Sequence, residues 1–140
     1  LLFFITLSSP LQASPQWLNT ISSTIDSDGH DPKELSCLSL TVYHEARGES
    51  ERGQRMVASV VMNRVRSPKF PNTVCGVVFQ KSQFSYLRKS DLTPRETKKW
   101  QQAVRISKEY INKGTSEWRF LYFDSIGRNG GTKVGNHYFR

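Results

Sequence analysis

Apolar residues recur at three-to-four spacing in two successive stretches, Leu35, Leu38 and Val42 and then Met56, Val57, Val60, Val61 and Val65, the pattern of helices that each bury one face. The first stretch opens on DPKE, which places Asp31 as N-cap, Pro32 at the first helical position and Glu34 three residues beyond the cap; a helix is expected from there to about Ala46. Its stripe runs on to Glu45 or Ala46, so Glu45 falls at the end of the buried face. Gly48 breaks this helix, and Ser50 can cap a second from Glu51 to about Arg66. Pro68 and Pro71 then force an extended turn, after which Asn72 can cap a short helix through Val74, Val77, Val78 and Phe79, although the same apolar run also suits a strand. TPRE at 93–96 reads as a capping box for a helix carrying Trp100, Val104, Ile106 and Tyr110 and stopping at Gly114. In the last quarter the period changes: WRFLYF at 118–123 reads as a buried strand, GRNGG as a turn and VGNHYFR as a second β run. The expected fold is α+β and mainly α, with a small C-terminal β-hairpin.

Residues 1–13 stand apart, with an apolar run over 1–7 and no charge before Asp26. They read as a secretory signal peptide truncated at its start, cleaved after Ala13. The competing reading is a short buried helix or an uncleaved anchor, but the run is shorter than the roughly 20 residues of a membrane span. Residues 14–30, rich in Ser, Thr, Asp and Gly, are expected to form a linker or a loosely docked arm. One folded domain is expected over 31–140, a size that buries a core without metal or several disulfides. Export changes the reading of Cys37 and Cys75, because two cysteines in an oxidising compartment usually pair; a nucleophilic thiol with His137 as base would need one of them free. A net charge of +8 calls for an acidic partner or serves solubility alone. The basic residues are scattered and an exported protein seldom meets nucleic acid, so envelope polymers rich in carboxylates and phosphates fit better.

Three clusters carry chemistry: YHEARGES at 43–50, QFSY at 83–86 and GNHYF at 135–139. Each joins a polar group to an aromatic ring that can stack on a pyranose. Glu45 is either an ordinary solvated glutamate near a helix end or a carboxyl on the apolar stripe, where loss of water raises its pKa and lets it keep a proton near neutral pH. Glu49 can act as a second acid, position Arg47, or sit as a charge favoured near the next helix N-terminus; Asn63 can face a cleft or solvent. His44 and Glu45 begin like a zinc-peptidase motif, but position 48 is glycine, and His30, His44 and His137 lack ligand spacing. No metal or other cofactor is expected.

HEARGES, GQ at 53–54, ASVVMNRV at 58–65, FPNTVCGVVFQ at 70–80 and FS at 84–85 occur in an order that resembles the SleB-type cell wall hydrolases, the spore cortex-lytic enzyme family. GNHYF resembles the closing motif of its exported Gram-negative members. The resemblance implies a lysozyme-like (lytic transglycosylase-like) catalytic domain over 31–140 that cuts peptidoglycan glycan strands, with Glu45 as the catalytic acid. It places Gln54, Asn63, Gln83, Phe84, His137 and Tyr138 in the sugar cleft, and Cys37 and Cys75 resemble a pair found in exported members. A conventional glycosidase needs two carboxyls beside the scissile bond. Only Glu45 is well placed: Glu49 lies beyond a glycine break, and Glu51 and Asp124 have no positional argument. The expected activity is therefore a lytic transglycosylase that cuts the MurNAc-GlcNAc β-1,4 bond and leaves 1,6-anhydro ends. A hydrolytic muramidase and a non-catalytic peptidoglycan-binding protein are the alternatives, with a wall peptidase weaker still. The chain is expected to act as a monomer on peptidoglycan in the periplasm or cell envelope, with no stable membrane span.

Overall fold

The computed structural model describes residues 14–80, 83–114 and 116–140; the signal peptide expected over 1–13 lies outside them. Helix α1 covers Gln16–Thr24, α2 Pro32–Ala46, α3 Glu51–Arg66, α4 Val74–Val78 and α5 Thr97–Ile111, with a 3₁₀ turn at Ser85–Arg88. Strands β1 (Phe123–Asp124), β2 (Thr132–Val134) and β3 (His137–Phe139) form an antiparallel sheet in the order β1-β3-β2. The protein is thus mainly helical with a small sheet, a lysozyme-like fold.

Helix α2 is the axis of the core. Asp31 accepts from the backbone N–H of Lys33 and Glu34, as the cap pattern requires. From there residues 35–42 are each 0% exposed, so the helix is buried all round and not along one stripe, with α1, α3, α4 and α5 packed around it. Two of its three buried polar residues bond back to the helix's own carbonyls: Ser36 Oγ donates to Pro32 O at 2.6 Å and Thr41 Oγ1 to Cys37 O at 2.9 Å, while the Ser39 hydroxyl has no partner among the described residues. Cys37 is joined to Cys75 by a disulfide that ties α2 to α4; both cysteines are engaged, so the free-thiol reading is set aside.

Elsewhere tertiary contacts override local signals. Residues 14–30 include a helix whose Leu18 is buried and whose Trp17 meets Phe79 edge-on at 5.8 Å; Trp17, Leu18 and Ile21 share a face that the polar composition hid. The cap of α4 is Thr73, not Asn72, and Glu34 accepts from the first N–H groups, those of Val74 and Cys75. The TPRE capping box does not form. Helix α5 begins at Thr97 without a side-chain cap, because the N–H groups of Arg95 and Glu96 donate to the Tyr43 hydroxyl of α2, each at 3.2 Å. The stretch 118–123 is strand only at Phe123, and the run VGNHYFR folds on itself at Gly135 and Asn136 into β2 and β3, so a three-stranded sheet replaces the expected two-stranded hairpin.

Candidate active site

Glu45 stands on the last turn of α2 and lines a groove of about 360 Å³ together with Gln83, Phe84, Tyr122, Phe123, Asp124 and His137. The local reason is that the fully buried part of α2 ends where the helix leaves the core, so the last turn, with His44 and Glu45, is only half-buried. Its carboxyl makes no hydrogen bond or ion pair with any described residue. Loss of water on burial raises its pKa above the ordinary glutamate value, and Lys89 draws it partly back. Such a group keeps its proton longer than a surface glutamate and offers it to whatever enters the groove.

The other walls come from distant parts of the chain. Phe84 is buried beside Phe123, with ring centroids 6.3 Å apart. Gln83 accepts a hydrogen bond from Arg64 at 2.9 Å. His137, on β3, is 8% exposed and meets the Phe123 ring edge-on at 5.2 Å. Burial lowers its pKa, while Glu49 and Asp124 act in the opposite direction, so the imidazole is neutral near neutral pH. Its Nδ1 lies 4.0 Å from Glu49 Oε1, a pair that is ionic only when the imidazole is protonated, and has no hydrogen-bond partner among the described residues.

Glu49 lies outside the groove lining and holds the sheet in place. Its carboxylate accepts from the Asn136 N–H at 3.2 and 3.3 Å, in the two-residue turn between β2 and β3. Gly135 adopts φ +57°, which favours glycine, and a Cβ there would overlap Glu49 Oε2 and push the carboxylate off the Asn136 N–H. Gly135→Ala is therefore expected to destabilise the protein by about 1–3 kcal/mol, as read by urea unfolding. In a Glu49→Ala background the penalty should shrink, a coupling that an undocked turn would not show.

A family model described as Cell Wall Hydrolase matches residues 48–139, from the loop after Glu45 to the end of β3. The chain belongs to the cell wall hydrolase family. It is 42% identical over 74 residues to a spore cortex-lytic enzyme of Bacillus cereus, an overlap of 51% of this chain and 29% of that protein. It is 39% identical over 71 residues to the enzyme of the same name from Bacillus subtilis, covering 49% of this chain and 23% of that one. The chain thus spans less than a third of the length of these curated relatives. The solved catalytic domain of the germination-specific lytic transglycosylase SleB from Bacillus anthracis superposes with a TM-score of 0.64 at 30% identity, over 80% of this chain and 97% of that one. The catalytic domain of Bacillus cereus SleB gives 0.60 at 31% identity, over 76% and 88%.

Within this cell wall hydrolase, four of the residues singled out by sequence share the groove: Glu45, Gln83, Phe84 and His137. Besides Glu49, three do not line it. Gln54 is buried and donates to Glu49 O at 3.1 Å, bracing the α2–α3 loop. Asn63 donates to the carbonyls of Trp118 and Phe120, pinning that segment to α3. Tyr138 alternates with His137 along β3 and packs over Gly127. Conversely, Arg64, Tyr122, Phe123, Asp124 and Arg140 line the groove without having been picked out. Of these, Arg64 carried a faint signal, a charge one residue past Asn63 on a helix otherwise apolar on its inner side.

Proposed function

We propose that this cell wall hydrolase cuts peptidoglycan glycan strands as a lytic transglycosylase, with Glu45 as its acid and base. The observation that carries the reading is a sheltered carboxyl, unengaged by any described residue, on the wall of a groove that also holds aromatic rings and the Gln83 amide. Its proton goes to the glycosidic oxygen between MurNAc C1 and GlcNAc as the C1–O bond breaks. The resulting carboxylate takes the proton of the muramoyl C6 hydroxyl, whose oxygen bonds to C1 and closes a 1,6-anhydro ring. One carboxyl serves both steps, and no water is consumed. Phe84 and Phe123 offer apolar surface to the sugar rings, and Gln83 an amide.

A muramidase reading draws on Asp124, the other carboxylate in the groove lining. Asp124 is committed elsewhere: it accepts from the N–H groups of Ile126 and Gly127 and pairs with Arg140 at 2.5 Å, and these bonds hold its pKa below the ordinary aspartate value. Such a group is poorly freed to activate water, which favours the transglycosylase. Mass spectrometry of fragments released from purified sacculi is expected to show anhydro ends, lighter by one water than reducing ends; reducing ends alone would assign a hydrolase. A non-catalytic wall-binding role would release no fragments at all.

The same reading makes the chain an exported member of the family, resembling those of Gram-negative bacteria, at work in the periplasm or cell envelope as a monomer, with residues 31–140 as its catalytic domain. The Cys37–Cys75 disulfide supports an oxidising compartment. Among the described residues no helix is long and apolar enough to cross a membrane.

A further inference from the structure

Arg64 is a charged residue that the glycosidase chemistry leaves unused. It projects from α3 into the groove wall and is only 4% exposed, an expensive place for a cation. Guanidinium groups so placed are normally neutralised by a carboxylate. Here all twelve Asp and Glu residues of the chain lie among the described residues, and none is ion-paired with Arg64; the groove's own aspartate, Asp124, is taken by Arg140. The partners of Arg64 are neutral. Nε donates to Leu121 O at 2.7 Å and Nη1 to Gln83 Oε1 at 2.9 Å. Its plane lies near the rings of Phe70 and Tyr122, with the central carbon 5.0 and 5.3 Å from their centroids. These contacts fix the fork in one orientation and use two of its five N–H donors. The side chain is thus held rigidly, charged and without a counter-ion, at the edge of the space a substrate would fill.

We propose that Arg64 is a carboxylate-binding subsite of the groove, which recognises an acidic substituent carried by the muramoyl residue of the strand. The inference rests on the glycosidase reading above and names the feature of the substrate that neutral glycans lack. Two sources supply that chemistry, the free lactyl carboxylate of a strand stripped of peptide and the carboxylates of an attached stem peptide. In either case a bidentate, charge-assisted pair would form through the N–H donors that Leu121 and Gln83 leave unused.

The test compares KM for three soluble strands: one bearing stem peptides, one stripped of peptide by an amidase, and the peptide-bearing strand with its carboxylates converted to neutral methylamides. The wild type is expected to show a KM about tenfold higher for the neutralised strand. If the stripped strand keeps the low KM, the lactyl group suffices; if it does not, the peptide carboxylates are required. Arg64→Gln should abolish the difference between charged and neutralised strands, and Arg64→Lys should restore part of it. A purely structural role would weaken cleavage of all strands together and leave their ratio unchanged, which would overturn the proposal. Equal KM values for the wild type would also overturn it, without any variant having to fold, and would leave the glycosidase reading intact. Failure of the wild type to cut any strand would remove both.

Discussion

Replacing Glu45 by glutamine is expected to reduce release of glycan fragments from sacculi by about 100- to 10,000-fold, the range typical for loss of a general acid, without loss of the folded state. Glutamine matches the protonated carboxyl in shape but carries no proton to give. Because the acid must be protonated at the outset, wild-type cleavage should fall as pH rises through the Glu45 pKa, at a pH above the ordinary glutamate range. The same shift predicts the stability effect. The folded chain holds this proton to higher pH than the unfolded chain, so stability is lost as pH climbs from the unfolded pKa through the folded one. Glu45→Gln should accordingly unfold at neutral pH at a temperature equal to or higher than the wild type, as measured by calorimetry. An inactive variant with a much lower midpoint would point to a structural glutamate instead. A variant that still cuts strands at the wild-type rate would remove Glu45 from the mechanism.

The second large effect concerns the disulfide. Cys37 and Cys75 are separated by 38 residues, and closing a loop of that length restricts the unfolded chain by about 4 kcal/mol on the chain-entropy account. Reduction, or the double change Cys37→Ala and Cys75→Ala, is expected to lower the thermal midpoint by on the order of 10–20 °C. Alanine is the better probe than serine, since Cys37 is 0% exposed and a hydroxyl there would be buried in the core. Below the new midpoint cleavage should persist, because the bridge meets α2 at Cys37, about two helical turns before Glu45, and neither cysteine lines the groove. A midpoint unmoved by reductant would mean that packing of α4 on α2 and the Glu34 contacts to Val74 and Cys75 suffice alone.

Much of the helical frame was legible because it depends on near neighbours. The Asp31 and Ser50 caps, the Pro32 start and the glycine break gave α2 and α3 their observed bounds, and the end of the apolar stripe singled out Glu45. Signals failed where a partner remote in sequence offered a better bond. Tyr43 takes the N–H groups that the TPRE box would have served, and the turn at Gly135 is stabilised by Glu49, 87 positions before Asn136.

The amino-acid sequence alone therefore determined α2 and α3 with their caps, α5 in outline, the paired cysteines and, through its resemblance to known wall enzymes, the family. Tertiary structure decided which polar residues meet. It gave Gln54 and Asn63 to backbone carbonyls as braces, turned Tyr138 away from its neighbour His137, and brought Arg64 and Asp124 into the groove. The physical reason is range: caps and periodicity act within about one helical turn, whereas a groove is made by segments that touch only after the whole chain has closed around α2.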